Sequence, residues 1–480
     1  MPPSSDNDSS DDEQQQPQPK QKQGLFARIG SGIEMAQQGY EQLVHAIIRP
    51  PRADKYTVNQ LGPSDFIFLK QRFRREDVEL TTKNTTHPSP DNKDDFEPQP
   101  LKMKASIWTR VDEDLLADEK KQNDGVDDKK TMVVYLHGNA SARLEVLPQL
   151  SFLLAQGIFG VASLDFTGSG KSDGDYVSLG YFERYDLETM LQYLQQTYGK
   201  LEIVLWGRSM GASTALMHAS QKTQEHIWKK EGSTLSISAS SEESADETTA
   251  RNPNGNVMST TILRGLICDS PFASLPLLCE ELVEKARSQG LVVPGVIVGV
   301  AIAIIARSVR NRAFFNIHEI SPIDHAPTLP IPALFICGAD DDFIPPHHSE
   351  RLIEAYKKGV RTNLFMVPGG HNDPRPELVF EAVHQFLRNE LSLTEDMALT
   401  VPSTMEKSYF RHPPWAYKRN PDIFQERAEP AVQRQKQIDG ATTLVDDATR
   451  PEELGMTKER QDDIQNKIHI MLGQVSSSNS

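Results

Sequence analysis

Ile203-Val204-Leu205-Trp206-Gly207-Arg208-Ser209-Met210-Gly211-Ala212 joins an apolar, strand-like run to a helix-like segment that continues through Ala219, with a serine between two glycines at the junction. A strand that turns at once into a helix forces the residue at the bend into a strained backbone, and the flanking glycines let the neighbouring chain pass close. The serine hydroxyl is thereby pushed out of the sheet. The N–H groups after it open a helix, where unpaired donors and the positive dipole end favour a developing oxyanion. Nucleophilic acyl transfer needs that arrangement. With 29 glycines in 480 residues, a chance G-x-S-x-G arises in about one such chain in ten. The surroundings therefore decide what the motif means.

Outward from this stretch the same rhythm repeats. Met132 to Leu136, Phe159 to Leu164, Gly265 to Cys268, Ala333 to Cys337 and Leu364 to Val367 are short apolar runs of the kind expected for strands covered on both faces. Helix-period segments separate most of them: Leu144 to Gln156, Tyr181 to Tyr198, Met210 to Ala219, His347 to Lys357 and Pro376 to Leu391. Strand and helix in alternation predict an α/β fold, a parallel sheet with helices on both faces. Upstream, Asp65 to Leu80 and Met103 to Val111 alternate as further strands, with a polar loop from Thr81 to about Pro100 between them.

Domain boundaries follow from composition. Residues 1–23 read as a disordered acidic tail, 24–100 as an N-terminal extension packing on the body, 101–395 as the catalytic domain, and 396–480 as a mostly disordered tail with one helix near 457–472. Within the domain, 223–258 is a polar insertion that reads as disordered, and 271–328 is a cap region. The cap holds sixteen mostly apolar residues, Leu291 to Ala306, too few to span a bilayer and interrupted by Pro294, Gly295 and Gly299. A greasy helix over the site is the expectation. The apolar stripes of the cap and of the helix over Gly24 to Ile48 are the segments through which the chain would touch a membrane surface.

A formal net charge of -16 argues against nucleic acid as a partner. Three cysteines, Cys268, Cys279 and Cys337, lack metal-ligand spacing and read as small buried hydrophobes in a reducing compartment. No secretory signal is visible, and Pro2 rules out N-myristoylation; the expected location is cytoplasmic. No cofactor and no metal are expected.

An acid and a base must follow the serine. After the run ending at Cys337 come Gly338 and three adjacent carboxylates, Asp340, Asp341 and Asp342; Asp341 stands three residues beyond the glycine and three before Ile344-Pro345, and is the expected acid. After the last strand-like run, Pro368-Gly369-Gly370-His371-Asn372 places His371 in a loop before the last helix. The order Ser209, Asp341, His371 separates this chain from the chymotrypsin and subtilisin orders. His137-Gly138-Asn139-Ala140 follows a strand and supplies a glycine turn, so the backbone N–H groups of Asn139 and Met210 are the expected oxyanion donors. Gly168-Ser169-Gly170-Lys171-Ser172 looks like the end of a phosphate loop, but Asp165 stands where its first glycine is required.

His137-Gly-Asn-Ala, Asp165-Phe-Thr-Gly-Ser-Gly-Lys-Ser172, Gly207-Arg-Ser-Met-Gly-Ala212 and Asp269-Ser-Pro-Phe272 resemble the serine aminopeptidase-like branch of the α/β-hydrolase superfamily. Ile47-Ile-Arg-Pro-Pro-Arg52, Asp341-Asp-Phe-Ile-Pro-Pro-His-His-Ser349 and His371-Asn-Asp-Pro-Arg-Pro376 resemble a sub-branch of plants and protists. The resemblance runs from about Gln42 to Glu390. It implies the α/β-hydrolase fold, with a mostly parallel eight-stranded sheet and a cap before the acid strand, and a metal-free serine hydrolase site. Feruloyl-type esterases, lysophospholipases, thioesterases and peptidases share that fold, which does not choose among them. The expectation is hydrolysis of an ester or thioester of a small or acyl substrate through a Ser-His-Asp triad. An inactive hydrolase-fold adaptor and a serine peptidase are the alternatives.

Overall fold

The computed structural model describes residues 41, 44–45, 47–86, 97–111, 130–220, 262–288, 295–402 and 411–427. The expected tail 1–23, the insertion 223–258 and the helix near 457–472 lie outside the described residues.

The strands are β1 (Asp65–Phe68), β2 (Gln71–Thr85), β3 (Pro100–Arg110), β4 (Lys130–Leu136), β5 (Gly160–Leu164), β6 (Leu201–Arg208), β7 (Ile262–Asp269), β8 (Ala333–Gly338), β9 (Thr362–Val367) and β10 (Phe424–Glu426). They form one sheet in the order β10-β1-β2-β3-β5-β4-β6-β7-β8-β9. The strands from β5 to β9 pair in parallel and the other four pairings are antiparallel. The expectation of eight strands is therefore corrected to ten. The extra strands sit at the antiparallel edge: the stretch from Asp65 to Leu80 divides into β1 and β2, and β10, which pairs with β1, is too short to carry a hydropathy period of its own.

Why the apolar runs are continuous is visible in their parity. Along β4, Met132, Val134 and Leu136 join one core cluster, while Val133 and Tyr135 join the other. The first face is covered by α2 (Glu183–Tyr198), by α3 (residues 210–220) and by α7 (His347–Ala355); the second is covered by α1 (Leu147–Ala155) and α8 (Glu377–Leu391). Successive side chains of a strand point to opposite faces, so a strand under helices on both sides leaves no polar phase.

Between β7 and β8 the chain leaves the body as α4 (Leu275–Ser288) and α5 (Gly295–Ala313), then returns through the short α6 (Pro322–His325). Ile302, Ile305 and Val309 turn inward into the core, whereas Val300 and Ile304, about half exposed, face outward. Among the described residues no helix is long and apolar enough to cross a membrane. Val44 and Ile48 are fully buried, and Arg312 of α5 forms a two-pronged ion pair with Glu41 at 2.6 and 2.7 Å.

Candidate active site

Ser209 has φ +50, the left-handed conformation that a non-glycine residue adopts only under compulsion. Its compulsion is local. The Ser209 N–H donates to the Asp269 carbonyl at the end of β7 (2.7 Å), and the Ser209 carbonyl accepts from Ala212 and Ser213 to begin α3. A Cβ on Gly207 would lie 2.4 Å from the backbone of Gly211 and Ala212, and one on Gly211 would lie 2.1 Å from the Leu136 carbonyl. Both glycines are thus spacing requirements of the turn.

Ser209 follows β6, Asp341 follows β8 and His371 follows β9, so all three stand at the carboxyl edge of the parallel strands, where such sheets place their ligands. The structure brings them together. His371 Nδ1 lies 2.8 Å from Asp341 Oδ2, and its Nε2 lies 3.2 Å from Ser209 Oγ. A carboxylate only accepts, so Nδ1 carries the proton and the Nε2 lone pair faces the serine. The Phe343 ring closes edge-on over the imidazole at 5.1 Å.

Asp341 is buried, and burial pushes its pKa up; the hydrogen bond and charge of His371, with the N–H groups of Ile344 (2.8 Å) and Phe343 (3.1 Å), outweigh this and hold it below the usual carboxylate value. Ser270 adds a fourth bond at 3.1 Å. Asp340 and Asp342 point elsewhere, the first to the N–H of Gly369 and the second to Lys285.

Asn139 and Met210 line the same cavity as Ser209. Neither backbone N–H has a hydrogen-bond partner among the described residues. The peptide before Asn139 is oriented by His137: the Phe166 N–H donates to His137 Nε2 (3.2 Å), which leaves Nδ1–H to donate to the Gly138 carbonyl (2.7 Å). In a trans peptide that carbonyl and the Asn139 N–H point in opposite directions, so fixing one aims the other.

Sequence reasoning missed the supports. Arg375 binds the Asp269 carboxylate through Nε (3.0 Å) and Nη2 (2.7 Å), and holds the Gly370 carbonyl beside His371. Burial lowers the Arg375 pKa, but the paired Asp269 raises it further, so the guanidinium stays charged. The only signal the chain carries for this pair is a charged residue at a strand end and another in a loop, placements that solvent-facing side chains share.

Ser209 lines a cavity of about 140 Å3 together with the apolar side chains of Ile47, Phe272, Leu275, Leu282, Ile302 and Ile305 among others, and with no carboxylate among the described residues. Cys279 also lines it, and burial pushes its thiol up to about 12, so it stays protonated at neutral pH. The glycine loop after β5 holds no room for a phosphate in the described arrangement. Asp165 accepts from the Lys171 N–H (2.9 Å), the Arg143 N–H (2.7 Å) and the Tyr56 hydroxyl, filling that nest with the protein's own carboxylate.

One group among the described residues could offer ligands to a cation, namely Glu281, His347 and His348. His348 Nδ1 accepts from the Ala273 N–H (3.1 Å), so its Nε2 carries the proton and donates to Glu281 (2.9 Å). No lone pair on His348 is left for a metal, and the cluster instead ties α4 to α7.

Two family models match the chain: one described as Serine aminopeptidase, S33, over residues 127–235, and one described as Serine hydrolase (FSH1), over residues 185–383. Among curated proteins it is similar to the uncharacterized protein YqkD of Bacillus subtilis, with 25% identity over 245 residues. That match covers 51% of this chain and 66% of the relative, just under two thirds of its length. Among solved structures it is similar to the esterase Pf2001 of Pyrococcus furiosus, with TM-score 0.42 and 20% identity over 72% of this chain and 100% of that one. It is also similar to Est1E of Butyrivibrio proteoclasticus with ferulic acid bound (TM-score 0.35, 17% identity, 61% and 96% covered). A third is the peroxisomal α/β-hydrolase Lpx1 of Saccharomyces cerevisiae (TM-score 0.40, 14% identity, 77% and 99% covered).

Proposed function

We propose, for a chain that is an α/β-hydrolase of the serine-hydrolase type, that it cleaves carboxylic esters or thioesters whose acyl group is apolar and of modest size, through Ser209, His371 and Asp341. The observation that carries this reading is the contact of His371 with both partners, 2.8 Å to Asp341 and 3.2 Å to Ser209, with Ser209 itself lining an apolar cavity.

His371 takes the Ser209 proton as Oγ attacks the acyl carbonyl, and Asp341 holds the imidazole in the reactive tautomer and stabilises its charged form. The oxygen of the tetrahedral intermediate turns toward the N–H groups of Asn139 and Met210, each worth about 3 kcal/mol in sites of this kind. His371 then returns the proton to the leaving alcohol or thiol. Water, activated in the same way, releases the acid and restores Ser209.

The cavity's size and lining support the choice of substrate. About 140 Å3 holds an acyl group of roughly benzene's bulk, and a lining of aliphatic and aromatic side chains rewards an apolar one. A peptidase acting at an amino terminus would need a carboxylate to hold the amine, and none among the described residues lines the cavity.

A fluorophosphonate probe tests the site, and p-nitrophenyl esters with matching acyl thioesters of graded chain length test the substrate. Labelling that disappears in Ser209→Ala, with turnover highest at about six acyl carbons, is the expected result. Folded protein that is not labelled, or labelled equally in Ser209→Ala, removes the proposal.

A further inference from the structure

The residue between the first glycine and the serine of the turn, Arg208, reaches two loops at once. Its Nη2 donates to the His371 carbonyl and to Asn372 Oδ1, both at 3.1 Å. Its Nη1 lies 3.8 Å from Glu145 Oε1. Glu145 in turn accepts the Gly138 N–H on both oxygens, at 3.2 and 3.3 Å, and the Tyr135 hydroxyl at 3.2 Å. One guanidinium thus spans from the loop that carries His371 to the carboxylate that holds the loop of Asn139.

We infer that Arg208 and Glu145 are positioning residues that act as one unit, keeping the general base and the oxyanion loop in register on either side of Ser209. The inference rests on the proposed triad. Its physical basis is that β4 and β9 are not neighbours in the sheet, so the two loops share no strand pairing that would fix their separation. Of the three strands between them, β6 is the one next to β4, and Arg208 leaves it at the last position before the serine. From there its planar fork reaches both loops with fixed geometry, which a lysine's single ammonium cannot reproduce. The side chains are 18% and 12% exposed, so removing one partner leaves the other charge largely desolvated, and stability is measured beside rate for that reason.

Arg208→Ala, Arg208→Lys, Glu145→Ala, Glu145→Gln and the double alanine variant are compared by fluorophosphonate labelling rate, kcat and KM on one short-chain ester, and melting temperature. Each alanine variant is expected to lower kcat and the labelling rate about 10- to 100-fold with KM within about threefold, the scale of a misplacement near 1 Å. The double variant is expected to be no slower than the worse single, because either change breaks the same span. Glu145→Gln keeps an oxygen for the Gly138 N–H and should recover part of the rate, while Arg208→Lys should not. Losses that multiply in the double variant, a change confined to KM, or rates unchanged from wild type would overturn the inference. Should wild type itself fail to label at Ser209, the triad reading falls first, and that outcome is distinct from a labelled wild type whose variants match it.

Discussion

At the scale of single residues, the turn at Ser209 sets the strictest demands. Gly211→Ala would drive a methyl into the Leu136 carbonyl, a backbone atom that cannot rotate away. We expect a loss of about 1 to 3 kcal/mol in urea unfolding, with labelling at Ser209 falling further than stability does, since β4 and α3 must separate to admit the methyl. A variant that keeps the wild-type labelling rate would show the turn to be more compliant than its geometry. Asp186 makes the second demand. It is fully buried and accepts from the Thr167 N–H and hydroxyl and from Asn84, each at 2.8 Å. Burial outweighs these bonds and raises its pKa from 3.8 to about 6. The folded state therefore holds this proton more tightly than the unfolded chain. The stabilisation is complete below pH 3.8 and is lost as pH rises through about 6, a swing of about 3 kcal/mol. Asp186→Asn cannot titrate, so the stability gap between wild type and variant should shift in the variant's favour by about that amount between pH 4 and 7. A gap independent of pH would sink this reading.

At the scale of elements, α4 and α5 wall the cavity that Ser209 lines. The inner side of α5 brings Ile302 and Ile305 into the cavity, and α4 brings Leu275, Leu278 and Leu282. Of the two, α4 is tied to the body through Glu281 with His347 and His348, and through Lys285 with Asp342. Replacing Ile302 by alanine removes three carbons from the cavity wall without touching Ser209, His371 or Asp341. The ratio of kcat/KM for an eight-carbon ester over a four-carbon ester should rise about 10-fold, the scale of one to three kcal/mol for a few buried methylenes. An unchanged ratio would mean that the acyl group does not enter under the cap. Burial costs the thiols in this part of the fold their acidity as well. Cys337 is pushed up to about 11, so both it and Cys279 stay protonated at neutral pH.

At the scale of the whole molecule, the sheet is finished by a segment far along the chain. Residues 411–427 return to the antiparallel edge, where β10 pairs with β1 and shields an edge that would otherwise present open hydrogen-bonding groups. Phe424 packs against Phe66 at 5.8 Å, and Trp415 meets the same ring edge-on at 6.2 Å while covering Gly62. Phe424 is 3% exposed, so Phe424→Ala should cost about 3 kcal/mol, read as a lower urea midpoint, with kcat unchanged because the site lies at the other side of the sheet. A loss of activity larger than the loss of folded protein would tie this edge to the site, against expectation.

How much was legible in the chain differs between these scales. The alternation of buried strands and helices, the glycines around Ser209 and the positions of Asp341 and His371 could be read locally. Each is a matter of period, backbone strain or spacing within about ten residues, and those are properties a chain carries before it folds. The edge strand β10 with the return of residues 411–427, the fork of Arg208 and the pairing of Arg375 with Asp269 could not. Each joins residues from about 100 to more than 300 positions apart, or rests on a single side chain with no period behind it. Asp341 was separable from Asp340 and Asp342 only by its address, and the distance of 2.8 Å to His371 comes from folding alone. Sequence determined which groups were available and roughly where each would emerge from the sheet. Tertiary packing decided which of them meet, because hydrogen bonds and ion pairs depend on ångström distances that only the assembled layers define.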